Sequence, residues 1–200
     1  MALYHFSVRN VSRGKGQMVV ASAAYISGQR IFDSYYNKIH DYTSKSGVIF
    51  TEILTPEYVP ERLTDRETLW NEVEHVERNN KAQLAYSFDI ALQNELTLEE
   101  NIRLAKEFCQ EQFVERGMIV DLAVHKGKSD NEEEPDNPHF HVLVPIRPFT
   151  EEGIWGNKQR REYILDEDGN RVKDAKGKDM FNAVSTTGWN DPELLKEWRR

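Results

Sequence analysis

From Leu3 to Arg9 the chain alternates, with Leu3, His5 and Ser7 on one side and Tyr4, Phe6 and Val8 on the other. That two-residue period predicts a strand. A basic turn, Arg13-Gly14-Lys15-Gly16, follows it. The small-residue run Ala21-Ser22-Ala23-Ala24-Tyr25-Ile26-Ser27-Gly28 predicts a helix with Gly28 near its end. Val48 to Leu54 reads as a second strand, stopped by Pro56. Thr64 is expected to cap a helix reaching Asn79, with Glu67 completing a Thr-x-x-Glu capping box. Gln83 to Leu92 predicts a further strand. The helical period is clearest from Thr97 to Arg116: Thr97 and Glu100 form a second capping box, Leu98, Ile102, Ala105, Phe108 and Cys109 make the apolar stripe, and Gly117 ends it.

Two apolar strands come next. Met118 to Val124 runs into His125, and His139-Phe140-His141 opens the stretch that reaches Ile146; the charged loop Lys126 to Pro138 joins them. Asp168-Gly169-Asn170 predicts a hairpin turn between polar arms. Leu194, Leu195 and Trp198 give a closing amphipathic segment after Trp189-Asn190-Asp191-Pro192. Strands and helices alternate irregularly, which predicts an α+β fold: one central, largely antiparallel sheet with helices packed on it. A chain of 200 residues suits a single domain, 1–200. Its last pattern is cut short at Arg200, so the natural protein is expected to continue.

Composition narrows the classes. No run reaches the roughly 18–20 apolar residues a membrane span needs, and the N-terminus lacks the basic and apolar parts of a signal peptide. The lone cysteine, Cys109, excludes an internal disulfide and fits a reducing cytoplasm. It falls in a helical stripe and reads as core. A net charge of −8 speaks against a nucleic-acid partner, but the charge is uneven. Residues 1–50 hold six Lys/Arg against two Asp/Glu, whereas residues 51–140 hold nine against 21. Phosphate binding depends on local contacts, so the basic first quarter keeps DNA open as a partner; a solvated acidic surface with no partner is the plain alternative.

The candidate chemistry lies in three histidines. His139 and His141, two apart on a strand, project from the same face. If their strand pairs antiparallel with the one ending in His125, three imidazoles converge on one point. A lone strand histidine is usually an ordinary polar residue, but this grouping is hard to obtain by chance. Three nitrogens suit Zn, Mn, Co or Ni, and leave positions open to water or phosphate oxygens. A cation there would polarise a phosphoryl group. His5, His40 and His75 have no such grouping. Tyr25 is surrounded by small residues that leave room for a bulky ligand, although a helical tyrosine more often packs into a core. Tyr35 and Tyr36 lie in a turn-like stretch and read as surface.

Taken together, these residues resemble the relaxases of mobilisable and conjugative plasmids, of the MobA/MobL type within the HUH endonuclease superfamily. Asn137-Pro138-His139-Phe140-His141 resembles the family's histidine–hydrophobic–histidine motif, with His125 as the upstream third ligand. Ala21 to Gly28 resembles the motif that carries the nucleophilic tyrosine. His40-Asp41-Tyr42-Thr43, then Val48 to Pro56, are similar to the segment between those motifs, and Phe181-Asn182 and Trp189-Asn190 also fit. The resemblance implies an HUH palm and a strand-specific DNA nickase with Tyr25 as nucleophile. It further implies a 5′-phosphotyrosyl intermediate at a plasmid origin of transfer and Mn²⁺ or Mg²⁺ (Zn²⁺ also possible) on His125, His139 and His141. The implied partners are single-stranded origin DNA and other conjugation proteins of the relaxosome and coupling machinery.

The strand Tyr86-Ser87-Phe88-Asp89-Ile90-Ala91-Leu92-Gln93 departs from the family pattern: Ser87 occupies the position of an expected acid, and Gln93 replaces a proline. Asp89, on the same face as Ser87, is the candidate to orient a metal histidine. Arg9, Arg13, Lys15 and Arg30 are expected to meet the DNA backbone. A later group, Lys158, Arg160, Arg161, Lys173, Lys176 and Lys178 around Trp155 and Tyr163, suits single-stranded DNA and equally any exposed hairpin. Three other readings remain open: a rolling-circle replication initiator, a metal-dependent phosphodiesterase with no covalent intermediate, and a non-catalytic DNA-binding module with structural zinc.

Overall fold

A computed structural model describes residues 5–127 and 137–199. Leu3 and Tyr4 of the first expected strand, and most of the loop between the histidine strands, lie outside the described residues. The chain parts into two compact units between Trp155 and Gly156.

The first unit contains β1 (Phe6–Ser12), α1 (Val19–Ser27), β2 (Arg30–Asp33), β3 (Lys38–Asp41), β4 (Val48–Leu54), α2 (Arg66–Val76), β5 (Gln83–Ala91), α3 (Leu98–Gln112), β6 (Val120–His125) and β7 (His139–Pro145). Five strands make one sheet in the order β1-β5-β7-β6-β4, every neighbouring pair antiparallel. The fold class is therefore the α+β arrangement expected, with the histidine strand β7 at the centre.

Strand alternation assigns the two faces. Val124, Phe140, Val142 and Phe88 point to the face covered by α3, where Phe108 meets Phe140 at 6.0 Å and Phe113 meets Phe88 at 4.9 Å between ring centroids. The opposite face carries the histidines at one end, and at the other the residues Ala85, Ala123 and Leu143, which join Val20, Ala23, Ala24, Leu69, Trp70 and Val73 of α1 and α2 in a buried core. Small side chains on both sides let α1 pack closely against the sheet. Asp121 is fully buried on this face. It accepts hydrogen bonds from Arg66 Nε and Nη2 at 2.8–3.0 Å and from Trp70 Nε1 at 2.8 Å, which locks α2 to β6.

Helix ends are set by identifiable residues. The Thr97–Glu100 capping box of α3 is present as expected. The cap of α2 is not Thr64: Asp65 accepts from Thr68 N, and Thr64 Oγ1 donates to the Glu61 carbonyl instead. Glu67 is correspondingly free of a capping box and accepts from Phe32 N at 2.9 Å, fastening β2 to α2. The N-terminus of α1 has no cap from its own Met18; Glu74 of α2 supplies one, accepting from Val19 N at 2.9 Å.

In the second unit β8 (Gln159–Tyr163) pairs antiparallel with β9 (Phe181–Ser185), and α4 (Pro192–Trp198) closes the chain. The turn around Asp168-Gly169-Asn170 is formed, with Gly169 at φ 81°. Among the described residues no helix is long and apolar enough to cross a membrane.

Candidate active site

Register brings the three histidines together. His125 pairs with His139 across β6 and β7, and His141 lies two residues along on the same face. Their ring centroids are 5.2, 4.7 and 4.9 Å apart. One nitrogen from each ring lies within 4.8 Å of the others, so the group could hold a metal ion.

Hydrogen bonds to carbonyls commit one nitrogen on each of two rings and leave the other for that purpose. His125 Nε2 is 2.7 Å from the carbonyl oxygen of Ile26. A carbonyl only accepts, so Nε2 carries the proton and Nδ1 keeps its lone pair. By the same logic His139 Nδ1 donates to the Asn137 carbonyl at 2.8 Å, which frees Nε2. His141 Nδ1 faces Asp89 Oδ2 at 4.0 Å. Burial, reinforced by neighbouring positive groups, pushes His141 down to about 3. Burial likewise lowers His125 to about 4, although its bond to Ile26 opposes the shift. Both rings are neutral at physiological pH, as metal ligands must be. Three imidazole nitrogens, with the outer N–H of two rings fixed by carbonyls, fit a divalent transition ion.

The bond from His125 to Ile26 ties the last turn of α1 to this cluster. Tyr25 lies in that turn and is 50% exposed, within reach of an external ligand. Its ring is held on two sides: Tyr42 meets it edge-on at 5.3 Å between centroids, and Lys45 Nζ lies 3.7 Å from its centre. Gly28, in the left-handed conformation at φ 64°, then ends the helix and turns the chain into β2.

Asp89 sits opposite His141 in the pairing of β5 with β7, and Ser87 opposite Leu143. Of the two acid positions weighed in the sequence, only Asp89 lies beside the cluster. Among the basic candidates, Arg9 is exposed on the histidine face, opposite Ser87. Arg30 is exposed and 3.6 Å from Asp41. Lys15 is exposed but precedes α1, at the opposite end of that helix from Tyr25. Arg13 differs from the expectation. It is buried, its Nη2 pairs with Glu74 Oε2 at 2.6 Å, and its guanidinium also donates to the carbonyls of Glu74, Glu77 and Asn79. With those donors committed, it serves the core and not a phosphate.

Of the later basic group, Arg160 is paired with Glu162 at 2.7 Å. Trp155 packs edge-on against Phe149 and donates its indole N–H to Glu72, so its ring is not a free stacking surface. Lys45 and the Ile26 carbonyl were not singled out in the sequence. A lysine in a loop and a main-chain oxygen carry no pattern; only the fold shows what they touch.

Residues 17–200 match the MobA/MobL family. The chain belongs to that family. It is 36% identical over 202 residues to the conjugal transfer protein TraA of Agrobacterium fabrum, covering 95% of this chain and 18% of that protein. It is also 36% identical to the probable mobilization protein MobA of Bifidobacterium longum, over 86% of this chain and 30% of the relative. A solved structure described as the molecular basis of vancomycin resistance transfer in Staphylococcus aureus superimposes with a TM-score of 0.79 at 34% identity, covering 98% of this chain and 87% of that one. The chain therefore spans less than a third of these two named relatives, and 87% of the solved chain.

Proposed function

We propose that this chain is the DNA-nicking unit of a plasmid-transfer protein, a strand-specific transesterase acting at an origin of transfer. The observation that carries the reading is the 2.7 Å hydrogen bond from His125 to the Ile26 carbonyl. It couples the helix bearing an exposed tyrosine to a metal-capable histidine cluster. Membership of the MobA/MobL family and the conjugal transfer and mobilization names of the relatives support the same role.

In this reading the Tyr25 oxygen attacks the scissile phosphorus of single-stranded origin DNA. The phenol gives up its proton as a bond forms from the tyrosine oxygen to the 5′-phosphate. The bond from phosphorus to the 3′ oxygen breaks, and that oxygen takes up a proton and leaves as a hydroxyl, so no net proton is released. The phosphoester energy stays in the phosphotyrosyl link, so the reverse attack by a 3′-hydroxyl rejoins the strand. Mn²⁺ or Mg²⁺ held by His125, His139 and His141 would polarise the phosphate and offset the charge that builds on it. Asp89 would orient His141, and Arg9 would contact the backbone from the histidine face. The partners are origin DNA and the other proteins of the transfer complex.

The test is a nicking assay on supercoiled plasmid bearing the candidate origin, with and without EDTA, using wild type and Tyr25→Phe, alongside a labelled oligonucleotide. Wild type should relax the plasmid and leave a protein–DNA adduct on a denaturing gel, and EDTA or Tyr25→Phe should abolish both. Cleavage without an adduct points to a water-attacking phosphodiesterase, and DNA binding with no cleavage to a non-catalytic module. Nicking at a replication origin in place of a transfer origin would make it a replication initiator.

A further inference from the structure

Lys45 lies in the loop between β3 and β4, half-buried beside Tyr25. Its Nζ donates to the Tyr25 carbonyl at 3.0 Å and sits 3.7 Å from the centre of the Tyr25 ring. One ammonium thus holds the same residue by main chain and side chain. We infer that Lys45 is the positioning residue of the nucleophile: with Tyr42 it clamps the Tyr25 ring in the orientation from which its oxygen meets the scissile phosphate. The inference rests on Tyr25 being the nucleophile.

Two observations support a dedicated role. Among the described residues Lys45 has no carboxylate partner, so its charge is not balanced by a structural ion pair as those of Arg13 and Arg66 are. Burial lowers its pKa, a cost that a lysine only stabilising a loop could avoid by pointing outward. A helix end cannot by itself fix a side chain that is half exposed. Tyr25 would exchange rotamers freely in solvent, and the fraction of time in an attacking geometry would fall accordingly. A cation over the ring face selects one orientation, and the bond to the carbonyl oxygen fixes the turn from which the side chain departs.

A lysine that only positions Tyr25 should, when removed, weaken nicking and leave metal binding intact. A purely structural lysine predicts loss of the metal as well, because a loosened loop would lose the site.

The experiment compares wild type, Lys45→Met, Lys45→Arg and Tyr25→Phe in the full chain. Cleavage of a labelled single-stranded origin oligonucleotide is measured in single-turnover conditions, with its binding measured by fluorescence anisotropy and Mn²⁺ binding by calorimetry. Lys45→Met should slow the chemical step about 10- to 100-fold, the size expected of a misplaced reactant. Oligonucleotide affinity should change by less than a few fold, and Mn²⁺ should bind as tightly as in wild type. Lys45→Arg, which keeps the cation and its donors, should recover most of the rate. A Lys45→Met rate equal to wild type overturns the inference, as does a slow rate accompanied by loss of Mn²⁺ binding or by no recovery with arginine. If Tyr25→Phe still nicks, the nucleophile reading itself falls, which is a distinct result from an inactive Tyr25→Phe beside an unaffected Lys45→Met.

Discussion

Asp89 faces His141 directly across the β5–β7 pairing, its Oδ2 4.0 Å from Nδ1 of the imidazole. The carboxylate thus lies beside one ring nitrogen of a candidate metal ligand. A modest closure would convert the contact into a hydrogen bond that fixes tautomer and ring orientation. Asp89→Ala is expected to weaken Mn²⁺ binding about 10- to 100-fold, read by calorimetry, with the fold intact by circular dichroism. Unchanged affinity would leave Asp89 as an ordinary strand carboxylate.

The basic residues of the first quarter should separate into two behaviours. Arg13 holds Glu74, and Glu74 in turn caps α1 through Val19 N. Arg13→Ala leaves a buried carboxylate without its cation and should cost about 3–5 kcal/mol of stability in urea unfolding. Arg9→Ala should leave stability within about 0.5 kcal/mol, while reducing the salt dependence of oligonucleotide binding by about one unit in the log–log slope. The same phenotype for both residues would contradict the partition.

Acid should loosen the metal-free protein. His125 and His141 have folded-state values of about 4 and about 3, below the ordinary 6.5, chiefly through burial. Between those values and 6.5 the unfolded chain binds more protons than the folded one, so stability falls as pH drops through that window and is fully present above it. Thermal unfolding in EDTA from pH 8 to 4 should show this decline, and His141→Gln should flatten it. A decline of equal steepness in the variant would assign it to other groups.

Gly28 ends α1 at φ 64°, and a Cβ there would lie 3.2 Å from Cγ2 of Val48. Gly28→Ala should therefore destabilise by about 1–2 kcal/mol through the left-handed conformation, with any further loss from the crowded valine. Chemical denaturation reads the stability. Full stability in the variant would mean that the helix end relaxes to another conformation.

Much of the frame follows from the amino-acid order. The two-residue period of His139-Phe140-His141 puts two imidazoles on one face whatever surrounds them. The Thr97–Glu100 box and Gly28 mark helix ends through bonds and dihedrals within a few residues. The five-stranded face pattern also follows, because alternation in buried strands is a local property. The short β2–β3 pair was seen only as a turn, since four residues a side give too little pattern.

Other features needed partners far along the chain. Asp65 and not Thr64 caps α2, and Glu67 turns to bond β2 in place of its own helix. Arg13, basic and flanked by glycine, looks like a surface residue until Glu74, 61 residues away, draws it inward. The coupling of Tyr25 to the metal-capable cluster runs through a main-chain oxygen of Ile26, 99 residues from His125. Local sequence sets which way a side chain leaves the backbone; which charge or carbonyl waits there is fixed only when the sheet closes and burial makes every unpaired polar group costly.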